Sequence, residues 1–346
     1  MMKDMFEETA ERVLGDLITP ELIIASENGA WPEGLWHAVE ENGLGLAAAP
    51  ESSGGVGGSW HDAFVLIRAA GRHSAPVPLA ETILVNWLLG LAGLDAAPGS
   101  ATLAATGGDL ADGRFSGTLG DIPWGGQAGH VLAVAGGNLV LLSSADGSRT
   151  GAFNAAREPR DTLTFDSASP VALAPLPASW PPETLLLGGA MIRSAQIAGG
   201  LGRLLDTAID YANQRIQFGR AIGKFQAIQH QLALLAEQTA LASAAAEMAF
   251  AASETAPSPA AIAAAKAVAS EAAGQGAAIA HAVLGAIGFT YEHDLHFTTR
   301  RLWSWRSEFG SQSYWAQDVG RRLCRQGESG VWPAIMAMTP ARAAKG

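Results

Sequence analysis

Apolar residues return every three or four positions through residues 1–97, as in Leu35, Val39 and Leu44 or Phe64, Ile67 and Ala70. That spacing places them on one face of successive helices, and the stretches PESSGGVGGSW and SAPVPLAE interrupt it as loops. At residues 98–182 the texture changes to short runs of β type, RFSGTLGDI, GHVLAVAG, NLVLLSS and DTLTFD, set between Gly, Asp and Pro clusters. The helical period then returns in long segments, 184–213, 225–253, 260–284 and roughly 293–326, divided by QFGRAIG, TAPSPA and GAIGFTY. The expectation is a mostly α chain: a helical N-terminal domain (1–97), a short antiparallel β domain (98–182), a C-terminal four-helix bundle (183–335) and a tail (336–346). The alanine excess in 239–282 suits close helix packing and needs no low-complexity explanation. No repeat of fixed period is present.

Composition narrows the partners. With 48% apolar residues the 346-residue chain can bury full-size cores. A formal net charge of -11 leaves no basic footprint for nucleic acid or an anionic membrane, so an anionic ligand must meet local arginines. The single cysteine, Cys324, closes no internal disulfide, and MMKDMFEETAERV is charged and amphipathic, which reads as cytoplasmic. Apolar stretches such as ETILVNWLLGLAGLDAA fall short of the ~20 residues of a membrane span and are broken by Asn and Gly. No membrane span is expected.

Most motifs have a plain structural reading. GGLG at 199–202 follows no strand and has no acidic residue about 20 positions on, so it reads as helix-packing glycine rather than a dinucleotide turn. GGVGG at 54–58, without Lys-Ser or Lys-Thr after it, reads as a turn. EHDLH places His293 and His296 beside Glu292 and Asp294, but nothing completes a three- or four-ligand site. The expectation is therefore no metal and a polar helix start, with Asp294 near the positive helix end. Trp303, Trp305 and Trp315 read as core. No Ser-His-Asp order or nucleophile elbow supports a hydrolase. The island YANQRIQFGRAIGKFQAIQH differs: Arg215 ends a helix, Gly219 and Gly223 permit a break, and Gln226 and Gln229 share a face of the next helix. From these residues alone, a groove for a pyrophosphate and a solvated basic turn both stay open.

The same island resembles the most specific signature of the acyl-CoA dehydrogenase family, and the resemblance covers almost the whole chain. WHAVEENGLGLAAAPESSGGVGGSWHDAFVLIRAAGRHSAPVPLAET is similar to that family's N-terminal domain, and GAIGFTYEHDLHFTTRRLW to its C-terminal glycine-rich turn and helix. The resemblance implies α,β-desaturation of an acyl-CoA by a carboxylate base and FAD, with an electron-transferring flavoprotein as acceptor. It implies that Arg215, Gln217, Phe218 and Gln226, with Gly285 and Gly288 of the glycine-rich turn, contact FAD, typically the flavin of a neighbouring subunit. Three departures follow. The Thr-Glu-Pro-x-x-Gly-Ser segment is missing and DIPWGG stands where Trp-Ile-Thr-Asn is usual; Ala282 and Ala286 replace a glutamine and a glycine. The usual base position falls on Phe309, with Glu308 one residue early, about 100° away on a helix, and the alternative base position falls on Gly189.

Glu308 is thus the sole catalytic candidate, expected with a pKa raised toward neutrality among Trp303, Trp305 and Phe309, or else as a surface carboxylate paired with Arg306 or Arg301. The reading favoured is a subunit of a heteromeric, tetrameric acyl-CoA dehydrogenase, in steroid side-chain or fatty-acid degradation, that completes its partner's flavin site. The alternatives are a self-sufficient homo-oligomer with Glu308 as base and a non-enzymatic helical scaffold.

Overall fold

The computed structural model describes residues 2–325, 327 and 330–337, and the expected tail lies outside the described residues from 338 onward. Five helices come first: α1 (Met2–Leu17), α2 (Pro20–Glu27), α3 (Glu33–Glu41), α4 (Trp60–Arg72) and α5 (Leu79–Leu91). Local chemistry sets their starts. The Thr19 hydroxyl accepts from the Leu22 amide ahead of Pro20, and Ser59 and Asp62 form a reciprocal capping box on α4. Every residue of α5 from Leu79 to Leu89 is buried, which its short length and apolar run require. GGVGG forms a tight loop in which a Cβ on Gly55 would stand 1.9 Å from the Ala49 carbonyl oxygen.

Eight strands follow as two four-stranded sheets. One orders β1 (Ala101–Leu103), β4 (His130–Ala135), β5 (Asn138–Ser143) and β8 (Ala172–Pro175); the other orders β2 (Asp109–Ala111), β3 (Arg114–Pro123), β7 (Arg160–Ala168) and β6 (Ser148–Thr150). Pairing is antiparallel except between β1 and β4, which run parallel. Strand alternation divides the core: Val131, Ala133, Val140 and Leu142 face the second sheet's Phe115, Leu163 and Phe165, while Leu132, Leu139 and Leu141 join the helical core. The first sheet is therefore covered on both faces.

The rest is α6 (Thr184–Gln214), a hairpin of β9 (Ile216–Gln217) and β10 (Arg220–Ala221), α7 (Gln226–Ala251), α8 (Pro259–Leu284), α9 (Leu295–Trp305), α10 (Gln312–Cys324) and α11 (Val331–Ala337). Glycines of GGLG sit in the close crossing of α4 and α6, where a Cβ on Gly199 would meet the Arg68 carbonyl oxygen at 1.9 Å. One expected element is corrected. The segment 293–326 is not one helix: Phe309 and Gly310 take φ of 52° and 96°, and Ser311 caps α10 afresh. The 31 residues Pro259–Phe289, with an 18-residue window of mean hydropathy 1.3, are long and apolar enough to cross a membrane, a stretch whose apolar character comes largely from alanine. Here α8 lies against α6, α7 and α10 as a bundle helix.

Candidate functional site

Tyr211 closes the last turn of α6, with its carbonyl accepting from the Arg215 amide, and the Arg215 carbonyl then accepts from the Ile222 amide across the hairpin. The loop Phe218–Gly219 has φ of 50° and 77° at its two positions, the backbone that a two-residue hairpin loop demands and that glycine supplies without strain. This hairpin and the turn after α8 enclose a groove of about 760 Å³ whose lining includes Tyr211, Arg215, Gln217, Phe218, Phe225 and Gly285. Phe218 is 91% exposed at its edge. The Arg215 guanidinium makes no hydrogen bond or ion pair among the described residues, whereas that of the neighbouring Arg220 lies 4.2 Å over the Phe225 ring. The start of α7 carries no side-chain cap, and the Phe225 carbonyl accepts from the Ile228 and Gln229 amides of its first turn.

Sequence reasoning placed six residues at this site, and four of them, Arg215, Gln217, Phe218 and Gly285, line the groove. Gln226 is exposed at the start of α7 and does not line it. Gly288 is buried, where a Cβ would press on Leu284 and Leu295 at 3.1 and 3.2 Å; its role is packing. Tyr211, Ile222, Phe225 and Ile228 went unremarked, although three of them are apolar residues of the very island singled out. In EHDLH the capping bond comes from His293 Nδ1, which accepts from the Leu295 amide, and not from Asp294. Among the described residues no three His, Cys, Asp or Glu side chains converge.

Glu308 stands elsewhere, in the turn between α9 and α10, and both expectations for it are corrected. Its side chain is 16% exposed and meets Arg160 and Arg193, not Arg306 or Arg301. Arg160 Nε donates to Oε1 at 2.9 Å, Arg193 Nε to Oε2 at 2.7 Å, and Asn154 Nδ2 to Oε1 at 2.9 Å. Burial would raise its pKa, but the two guanidiniums and these hydrogen bonds outweigh that and hold it at about 2. Such a carboxylate is a poor proton acceptor at pH 7. Burial likewise works against the charge of Arg193, yet Glu81, Glu308 and Glu158 raise its pKa above the usual arginine value.

The two positions matched to a base pack on each other. A Cβ on Gly189 would stand 2.3–2.5 Å from three carbons of the Phe309 ring, so the ring fills the space over α6. Phe309 also lies under Arg193, 5.6 Å from the guanidinium carbon. Behind it Lys266 Nζ donates to the carbonyls of Trp305, Arg306 and Gly310, at 3.0–3.1 Å; burial, with Arg193 and Arg306 nearby, pulls its pKa down to about 7 against the opposing charge of Glu308. Arg193 and Lys266 escaped notice in the sequence, though each is a lone cation inside an apolar helical run, the pattern of a buried charge with a dedicated partner.

Residues 2–97 match the family model "Acyl-CoA dehydrogenase, N-terminal domain" and residues 183–324 the model "Acyl-CoA dehydrogenase, C-terminal domain". The chain is 30% identical over 343 residues to the acyl-CoA dehydrogenase IpdE2 of Mycobacterium tuberculosis (strain ATCC 25618 / H37Rv), covering 95% of this chain and 97% of that one. To the acyl-CoA dehydrogenase FadE34 of the same strain it is 34% identical over 296 residues, 80% of this chain, and it spans 40% of that protein's length. A solved structure of the Tcur3481-Tcur3483 steroid ACAD superposes with a TM-score of 0.83 at 26% identity, over 93% of this chain and 98% of that one. The ChsE4-ChsE5 complex from Mycobacterium tuberculosis gives 0.78 at 21% identity over 93% and 97%, a likeness of fold.

Proposed function

The chain belongs to the acyl-CoA dehydrogenase family, FAD-dependent oxidoreductases acting on CH–CH bonds, and from that premise we propose that it is the non-catalytic subunit of a heteromeric member, working in the cytoplasm and completing the flavin site of its partner. The observation that carries this reading is the contrast between its two regions. The groove keeps an unpaired guanidinium, a glutamine amide and apolar walls, donors and surfaces that fit the pyrophosphate and adenine of a dinucleotide. Around Glu308, by contrast, the carboxylate is consumed by two arginines and the Phe309 ring fills the space over Gly189. FAD, when bound, supplies the hydride acceptor; Arg215 and Gln217 would hold its diphosphate and adenosine end, and the base and thioester pocket would come from the partner. The names of the relatives, among them a steroid ACAD and a two-component complex, support a steroid-derived or fatty acyl-CoA as the substrate of the assembled enzyme, with an electron-transferring flavoprotein as acceptor. A self-sufficient enzyme using Glu308 draws no support from this geometry.

The test is Arg215→Ala in the co-purified complex. Loss of charge-assisted hydrogen bonds to a pyrophosphate costs about 1.5–3 kcal/mol, a ten- to hundredfold loss of flavin affinity, with helical content unchanged. Unaltered flavin retention would return the hairpin to a solvated turn.

A further inference from the structure

Four carboxylates, Glu27, Glu81, Glu158 and Glu308, alternate in space with four arginines, Arg160, Arg193, Arg300 and Arg301. Arg193 stands 2.8 Å from Glu81 and 2.7 Å from Glu308; Arg160 stands 2.7 Å from Glu308 and 3.0 Å from Glu158. The chain of charges continues from Glu158 to Arg301 at 3.3 Å, from Arg301 to Glu27 at 3.3 Å, and from Glu27 to Arg300 at 2.7 Å. The four positive and four negative charges cancel. Its members come from α2 and α5, from β7 and the loop before it, and from α6, α9 and the turn after α9. Of the seven links, Arg193–Glu308 and Glu158–Arg160 each lie within one region of the fold, and the other five cross between regions.

The turn at the centre is held from several sides. Phe309 carries a left-handed φ of 52°, a strained backbone for a ring-bearing residue. Its carbonyl accepts from Trp315 Nε1 at 2.9 Å, and the Gly310 carbonyl accepts from Lys266 at 3.0 Å. Trp305 Nε1 donates to Glu158 at 3.0 Å, and Asn154 donates to both Glu158 and Glu308 at 2.9 Å, so the two central carboxylates share one amide. A buried charge without its partner is costly, which means that sliding any one region relative to the others leaves several charges stranded at once. Apolar contacts at the same junction would tolerate such a slide far better.

We propose that this ladder is an interdomain lock: it fuses the N-terminal helices, the β region and the bundle into one cooperative unit, with Glu308 as the carboxylate that joins the arginine of β7 to that of α6. Glu308 is on this view a positioning residue of the fold, and its effect extends to segments distant in sequence. The inference does not depend on what the groove binds.

Calorimetry and hydrogen exchange by mass spectrometry on the full chain and on Glu308→Gln test it. In the wild type the heat absorption forms one transition, and peptides from 153–163 and 304–315 exchange in step with those of α5 and α6. In Glu308→Gln those two groups of peptides exchange at least tenfold faster than α5, and the transition splits. Unchanged relative exchange in the variant would overturn the lock. Should the variant fail to fold, the wild type alone decides: independent opening of 153–163, or two transitions, overturns it, and opening in step sustains it.

Discussion

Replacing Glu308 by Gln keeps the shape of the side chain and removes its charge, leaving Arg160 and Arg193 facing an amide. The folded carboxyl ionises at about 2, against a usual value of 4.5. That depression, at about 1.4 kcal/mol per pH unit, corresponds to about 3 kcal/mol of stability, at the low end of the roughly 3–5 kcal/mol expected when one member of a buried pair is removed. The sign follows from proton counting. Between pH 4.5 and 2 the unfolded chain binds a proton at this site that the folded chain does not. The contribution is therefore complete above about pH 4.5 and is lost as pH falls through 2. Urea titrations at pH 7 should place the variant's first transition about 3 kcal/mol below the unfolding of the wild type. On acidification the two should converge, because the wild type loses what the variant already lacks. Parallel curves from pH 7 to pH 2, or equal midpoints at pH 7, would refute the electrostatic reasoning. A partner-complemented enzyme that keeps most of its turnover with this variant would separate the structural role from a catalytic one.

Expressed alone, the chain should hold well under one FAD per subunit and gain flavin only with its partner; the 450 nm absorbance of each preparation measures this, and a yellow, near-stoichiometric single chain would refute it. Gly199→Ala should lower stability by about 3 kcal/mol, since its Cβ would meet the Arg68 carbonyl oxygen at 1.9 Å and force α4 off α6; thermal melting reads it. Gly219→Ala, with open space around its Cβ but φ of 77°, should cost about 1 kcal/mol of hairpin stability and weaken flavin retention several-fold without lowering the global melt.

Periodicity located most of the fold because each element announces its own period: α5 is apolar throughout, and β4 and β5 alternate between two cores. The break at Phe309 escaped because nothing in SEFGSQ distinguishes a left-handed phenylalanine from a helical one; Gly310 alone is a weak signal. That turn exists because Trp315, Lys266 and Glu308 hold it, and those contacts are made across the fold. The same reason hid the true partners of Glu308. The sequence pointed to Arg306 or Arg301, the arginines nearest along the chain, while the structure supplies Arg160 from β7 and Arg193 from α6, separated by 148 and 115 positions. The groove was legible because its donors are contiguous: Arg215, Gln217 and Phe218 sit on one hairpin whose own turn fixes their geometry.

The distribution of arginines explains why the groove can be selective in so acidic a chain. Arg160, Arg193, Arg300 and Arg301 are spent on carboxylates inside the fold, and Arg68, Arg72, Arg149 and Arg322 pair with Glu7, Asp206, Asp161 and Asp318 near the surface. With a net charge of -11, a dinucleotide approaching most of the surface is repelled. Arg215 has no acid partner among the described residues and stands in the lining of an apolar groove. An anion gains most at a guanidinium that need not first be pulled from a carboxylate, and least where the guanidinium is already paired. Pairing within the fold and vacancy at the groove are thus two sides of one arrangement: the arginines that lock the regions together carry no free charge to compete for the ligand that Arg215 is placed to meet.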